Sequence, residues 1–384
     1  MTNEERIQAS LAIHRQLRGK IRMTSLAPIE TMEDLALVYT PGVGGVSSEI
    51  ARHPELANEL TWRGNTVAVV SDGSAVLGLG NIGPAAALPV MEGKCAIFKR
   101  FAGIDAVPIV LATQDVEEII TTVKAIAPSF GAIQLEDISA PRCFEIEERL
   151  QEALDIPVMH DDQHGTAIVV LAGLINALRV VGKQARDIRV VMNGAGAAGT
   201  AIVHLLRAYG VTSIISCDRQ GAVYEGRDGL NEEKQKLAAI TNPEKRSGTL
   251  ADVARGADVL IGVSSANAFS KELVASLAPD SIVFGLANPI PEILPTDAHE
   301  AGARVVATGR SDFPNQVNNA LCYPGLFRGM LDTGVKKITI DMKIAAAEAL
   351  AGCVSEPTAE RIIPGIFDPG LVEKVARAAS VRAE

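Results

Sequence analysis

The sequence predicts two α/β domains, the second a doubly wound parallel sheet, with C-terminal helices that return to the first. Three observations carry this. Residues 131–178 alternate strand and helix: GAIQLED is a short apolar run, and ISAPRCFEIEERLQEAL places Phe144, Ile146, Leu150 and Leu154 at mostly helical spacing. IPVM is a second apolar run, and QHGTAIVVLAGLINAL a second helix. A strand, a crossover helix and a strand pair in parallel, because a parallel connection needs a dozen or more residues. Further on, IRVVM, a glycine-rich turn, the helix TAIVHLLRAYG and the strand SIISCD repeat the unit, and ADVLIGV, SIVFGLANP and ARVVATG extend it. The expected boundaries are 1–163, 164–315 and 316–384.

A chain of 384 residues can build two ordinary cores, and 47% hydrophobic with 21% charged residues describes a globular protein. The net charge of −10 argues against nucleic acid as a partner. The longest strongly apolar run, Thr166–Leu178, is short for a membrane span, and MTNEERIQAS lacks the apolar core of a signal peptide. Five scattered cysteines without CxxC spacing fit reduced thiols, so a cytoplasmic location is expected.

Residues 4–18 read as a helix with Ile7, Leu11, His14 and Leu17 on one stripe. Tyr39 ends the run LALVY before TPGVGG, a turn; in isolation it reads as a packing residue. TVAVV is a strand. A first GxGxxG follows it at Gly78, Gly80 and Gly83, but the helical stretch PAAALPVMEG is short and interrupted by Pro89, and Asp105 lies well past the next apolar run. That copy reads as a tight turn. CAIF reads as a strand, with Lys94 at its start and Lys99 and Arg100 just beyond.

Both strands of the 131–162 unit end in carboxylate pairs, Glu136–Asp137 and Asp161–Asp162. One such pair reads as turn acids and helix caps. Two pairs at the carboxyl edge of neighbouring strands, where open α/β sheets place ligands, repel one another unless a cation intervenes. Oxygen-only donors suit Mg²⁺ or Mn²⁺ rather than zinc. His160 and His164 flank the second pair and read as supports.

The second GxGxxG, Gly194, Gly196 and Gly199, sits between a strand and a helix, and the next strand ends in Asp218, nineteen residues past Gly199. Strand, glycines, helix, strand and terminal acid make the Rossmann dinucleotide fingerprint, with pyrophosphate on the helix N-terminus and the acid on the ribose. Asn288 closes a strand in FGLANP at the ligand edge, and Asn318 and Asn319 lie near a helix start. Thr339–Val354 and Pro369–Ala379 read as two helices.

LALVYTPGV, GLGNIGPAAALPVMEGK, FKRFAGID, QLEDI, HDDQHGTA, NGAGAAG, FGLANP and QVNNALCYPG occur in this order in malic enzymes, and over nearly its whole length the chain resembles the small bacterial subunit type. That resemblance implies oxidative decarboxylation of malate to pyruvate with NAD, NADP being possible, on Mg²⁺ or Mn²⁺, in a cytoplasmic homodimer. It implies Glu136, Asp137 and Asp162 as metal ligands, Lys94 as general base and Tyr39 as general acid. Asn288, Asn318 and Asn319 become substrate contacts, with Asn319 favoured over Asn318. Gly194, Gly196, Ala197, Ala198, Gly199 and Asp218 become the dinucleotide site, with Arg219 and Asn288 beside it. Larger family members carry an arginine for a malate carboxylate where this chain has Ala75, so Lys99, Arg100 or a second subunit is expected to supply that charge. Two other readings are a malolactic or oxaloacetate-decarboxylating relative without net redox change, and a nucleotide sensor without activity.

Overall fold

A computed structural model describes residues 3–381. Its first sheet is fully parallel, ordered β2-β1-β3-β4, from β1 (Thr66–Ser71), β2 (Asp105–Val110), β3 (Ala132–Leu135) and β4 (Val158–His160). Pro108 lies in β2, an edge strand, where its missing N–H costs no ladder bond. The second sheet runs β10-β9-β8-β5-β6-β7, from β5 (Arg189–Asn193), β6 (Ser213–Asp218), β7 (Gly221–Ala222), β8 (Val259–Gly262), β9 (Ile282–Gly285) and β10 (Val305–Thr308). Only the short β7 is antiparallel. From β5 the chain builds β6 on one side and later returns to add β8 on the other, so the order reverses beside β5 and opens the crevice in which such sheets bind ligands.

The helix Asp161–Val181 joins the two sheets. It packs on Ala197–Ala208 and on Ile340–Ala351, and one apolar core runs continuously from β1 through Ile168 and Leu171 to Val190 and Phe284. At 21 residues it is longer than its apolar segment suggested, and by length and composition alone it could cross a membrane. Its burial against both sheets makes it a core helix instead.

One expectation fails outright. Lys94 and CAIF are not in a strand: Pro84–Ala102 is a single 19-residue helix that continues through Pro89. Ala87, Met91, Cys95 and Phe98 are its buried stripe, a helical spacing that outweighs the local apolar run. The tail helices form as expected. Tyr323–Thr333 lies on Pro84–Ala102, Leu371–Val381 lies on Tyr323–Thr333, and Ile340–Ala351 covers the long central helix, which returns the tail to the first sheet.

Near the N-terminus the pattern inverts. Helices Met32–Val38 and Gly42–Arg52 bury no residue, and Leu26 is 99% exposed.

Candidate active site

The carboxyl ends of both sheets face a cleft of about 1050 Å³. On one wall the parallel pairing of Leu135 with His160 brings Glu136–Asp137 beside Asp161–Asp162. Asp137 adopts a left-handed backbone (φ 54°), and its amide donates to Asp162 Oδ2 at 2.8 Å. Oxygens of Glu136, Asp137 and Asp162 lie within 4.8 Å of one another, a hard, all-oxygen donor set that fits a divalent cation such as Mg²⁺ or Mn²⁺.

Asp161 turns the other way. Its Oδ2 lies 2.6 Å from Lys94 Nζ, which also reaches Glu136 Oε1 at 2.9 Å, while its buried Oδ1 has no hydrogen-bond partner among the described residues. Burial works against the charge on Lys94, but Asp161 and Glu136 outweigh it and hold the ammonium well above its ordinary pKa. Glu136 is pushed up by burial and by repulsion from its acidic neighbours, against the pull of Lys94. The Tyr323 ring lies 4.7 Å under Lys94 Nζ and completes its apolar floor.

The two histidines act as supports. His160 Nε2 sits 3.1 Å from Asp162 Oδ2, and that carboxylate raises the pKa of the buried imidazole against the opposing effect of desolvation. His164 Nε2 meets Glu147 Oε2 at 3.0 Å and its Nδ1 meets Lys343 Nζ at 3.0 Å. Glu147 in turn accepts from the His160 amide and the Gln163 side chain, which ties the acidic wall to the tail helices. Burial lowers the Lys343 pKa to about 8.

On the opposite wall Gly194–Gly199 follows β5, and helix Ala197–Ala208 begins there, with Ala197 and Ala198 lining the cleft. A Cβ at Gly199 would stand 1.7 Å from the Gly194 carbonyl, so only glycine permits this turn. Asp218 ends β6 next door, where Gly194 N donates to Cys217 O. Asn288, Asn318 and Asn319 all reach the cleft. The first glycine cluster is a tight turn, as expected, and its closeness has a purpose: a Cβ at Gly78 would lie 2.1 Å from the Asn288 carbonyl.

Three expected residues stand elsewhere. Tyr39 is 65% exposed and does not line the cleft of its own chain. Lys99 pairs with Asp105, and Arg100 lies over Phe101; neither reaches the cleft. Ala75 does line it, its amide bonded to the Asp137 carbonyl, and brings no charge. The basic residues that line it, besides Lys94, are His14, which the sequence placed only on a helical stripe, and Lys20, which the sequence did not single out. Lys20 lies against the Lys94 helix, its Nζ donating to Pro89 O at 2.5 Å and its amide to Glu92. No spacing rule signals a lysine placed by a chain reversal of some seventy residues; the helix-lining position of His14 was visible, its direction was not.

Residues 18–151 match the model of the malic enzyme N-terminal domain and residues 163–369 that of the malic enzyme NAD-binding domain. The chain is 54% identical over 379 residues to a bifunctional malic/malolactic enzyme of Bacillus subtilis, covering 98% of this chain and 92% of that protein. It is 57% identical over 362 residues to an NAD-dependent malic enzyme of Geobacillus stearothermophilus, covering 94% and 76%. The crystal structure of an NAD-dependent malic enzyme from Thermotoga maritima superposes with a TM-score of 0.94 at 50% identity, over 96% of this chain and 98% of that one. The glycine turn, the acidic wall and Lys94 are therefore read in a chain that belongs to the malic enzyme family.

Proposed function

We propose that the protein oxidises malate with a nicotinamide dinucleotide and decarboxylates the product to pyruvate and CO₂, with Glu136, Asp137 and Asp162 holding Mg²⁺ or Mn²⁺. The observation that carries this is the facing of the carboxylate trio and the Gly194–Gly199 turn across one cleft, with Lys94 on its wall. When bound, the cation would acidify the substrate hydroxyl and stabilise the negative charge left as CO₂ departs.

Lys94 is placed to take the proton of the substrate hydroxyl, and a bound nicotinamide would supply the hydride acceptor for C2. Asp161, 2.6 Å away, and Glu136 hold its ammonium charged, so its deprotonation would depend on the positive charge of a bound cation, which lowers the proton affinity of a neighbouring lysine. Asn318 spends its side-chain oxygen on the Ala320 amide, which supports Asn319 and Asn288 as the contacts that orient substrate. Malate has two carboxylates, and Lys20 is the cation in the cleft that is not already committed to an acidic wall residue, so it takes the role that Ala75 cannot.

Tyr39 returns a proton to C3, and it does so in a partner's cleft. It does not line its own cleft, and it is exposed at the end of the helix that also exposes Met32, Leu37 and Val38, an apolar surface that a second copy of the chain would cover. In this reading the enzyme is a homodimer that shares its active sites. All five cysteines are free thiols, which supports a cytoplasmic location.

The test is product stoichiometry on L-malate with Mn²⁺ and NAD. Pyruvate and reduced cofactor in equal amounts are expected. Lactate without net reduction of the cofactor would establish the malolactic alternative, and any metal-dependent turnover would end the sensor reading.

A further inference from the structure

The acid expected to hold the ribose is already full. Asp218 Oδ1 accepts from Arg227 Nη1 at 2.9 Å and from the Gln220 amide at 2.9 Å, and Oδ2 accepts from Arg227 Nη2 at 2.5 Å and Lys234 Nζ at 2.6 Å. A carboxylate offers about four lone-pair sites, so none remains for a ribose hydroxyl. Charge points the same way. A lone carboxylate at this strand end repels a 2′-phosphate, but here one negative charge faces two positive ones, with Arg219 exposed beside them. Arg227 is nine-tenths buried and also bonded to the Gly221 and Ala222 carbonyls, while its Nε has no partner among the described residues. It is a fixed part of the fold. Lys234 is more exposed, reaches in from helix Glu232–Ile240 on a flexible stem, and has Asp218 as its acidic partner.

We propose that Arg227 and Lys234 form a preformed 2′-phosphate site around Asp218, with Lys234 as the movable member, so that the enzyme accepts NADP as well as NAD. With NAD, Lys234 swings off Oδ2 and the freed lone pair takes the ribose 2′-hydroxyl. With NADP, Lys234 turns to the phosphate and Arg227, held in place by Asp218, adds its fixed positive charge behind it. The inference rests on the nicotinamide-dinucleotide reading of the Gly194–Gly199 turn.

Calorimetric titration of the full chain with 5′-ADP and with 2′,5′-ADP tests it without malate, metal or turnover. Wild type should bind 2′,5′-ADP no more than about five-fold more weakly than 5′-ADP, a gap of roughly 1 kcal/mol. Lys234→Met should weaken 2′,5′-ADP at least about five-fold more than 5′-ADP, the loss of one charge-assisted contact. Discrimination against 2′,5′-ADP beyond that margin in wild type, or an equal effect of Lys234→Met on both ligands, overturns the proposal and leaves Asp218 as an ordinary NAD acid. If neither ligand binds, the dinucleotide reading falls and takes this inference with it.

Discussion

Two acidic centres end parallel strands in this molecule, and they are provisioned in opposite ways. At the ends of β3 and β4 three buried carboxylates and the half-buried Asp162 share one lysine and one histidine. At the end of β6 one carboxylate is shared by an arginine and a lysine. The first centre is short of positive charge and fits a cation; the second has positive charge to spare and suits an anion. The difference shows in proton affinity. Burial and mutual repulsion push Glu136 up, whereas Arg227 and Lys234 overcome a smaller burial cost and pull Asp218 far down. Residue type alone does not separate the two: the balance of partners does.

The largest effect should come from removing the one lysine of the acidic wall. Lys94→Ala and Tyr39→Phe should each lower turnover roughly 10²- to 10⁴-fold, as loss of a positioned proton-transfer group does. If the proposed shared site takes Lys94 from one copy and Tyr39 from the other, refolding the two variants together should restore a fraction of activity that neither has alone. Mixed dimers as inactive as their parents would place Tyr39 outside the reaction.

Asp162→Asn deepens the contrast at its source, removing one ligand charge at nearly constant shape. Mn²⁺ affinity, read by electron paramagnetic resonance, should fall by at least about 10- to 100-fold, the loss typical even of outer-shell partners. Unchanged Mn²⁺ binding would move the metal elsewhere.

A smaller change is expected from Lys20→Met, which should raise KM for malate on the order of ten-fold with little change in kcat, since the contact persists through the reaction. An unchanged KM would assign the second carboxylate to a partner chain.

The smallest effect concerns stability. Lys343, facing His164 and Glu147, has its pKa depressed to about 8 in the fold. The unfolded chain therefore binds the proton more readily, and the Lys343 contribution to stability rises with pH between about 8 and the ordinary lysine value near 10.4. In urea titrations Lys343→Met should lack that rise and be the more stable protein near neutral pH. Identical pH profiles for the two would mean that Lys343 stays charged in the fold.

The β3–β4 unit and the fingerprint at β5 were legible because each is local: acids one residue past a strand, glycines between strand and helix. The Lys94 segment was misread because Cys95–Phe98 is strongly apolar over four residues, and the helical stripe becomes visible only when Ala87 and Met91 are included across Pro89. Lys20 and Tyr323 carried no local signal, since both reach the cleft through contacts with the distant Pro84–Ala102 helix.

What the sequence determined by itself was the chemistry available. It set two parallel α/β units, oxygen donors for a hard cation and a glycine turn for pyrophosphate, because periodicity and turn geometry act over a few residues. Tertiary structure alone decided how those groups are used. It turned Asp161 away from the acidic trio toward Lys94, sent Tyr39 out of its own cleft and brought Lys20 in. It also surrounded Asp218 with two cations from nine and sixteen residues further along the chain. The physical reason is that proton affinity and ion preference depend on burial and on charges within a few ångströms, and those neighbours are fixed only when distant segments pack.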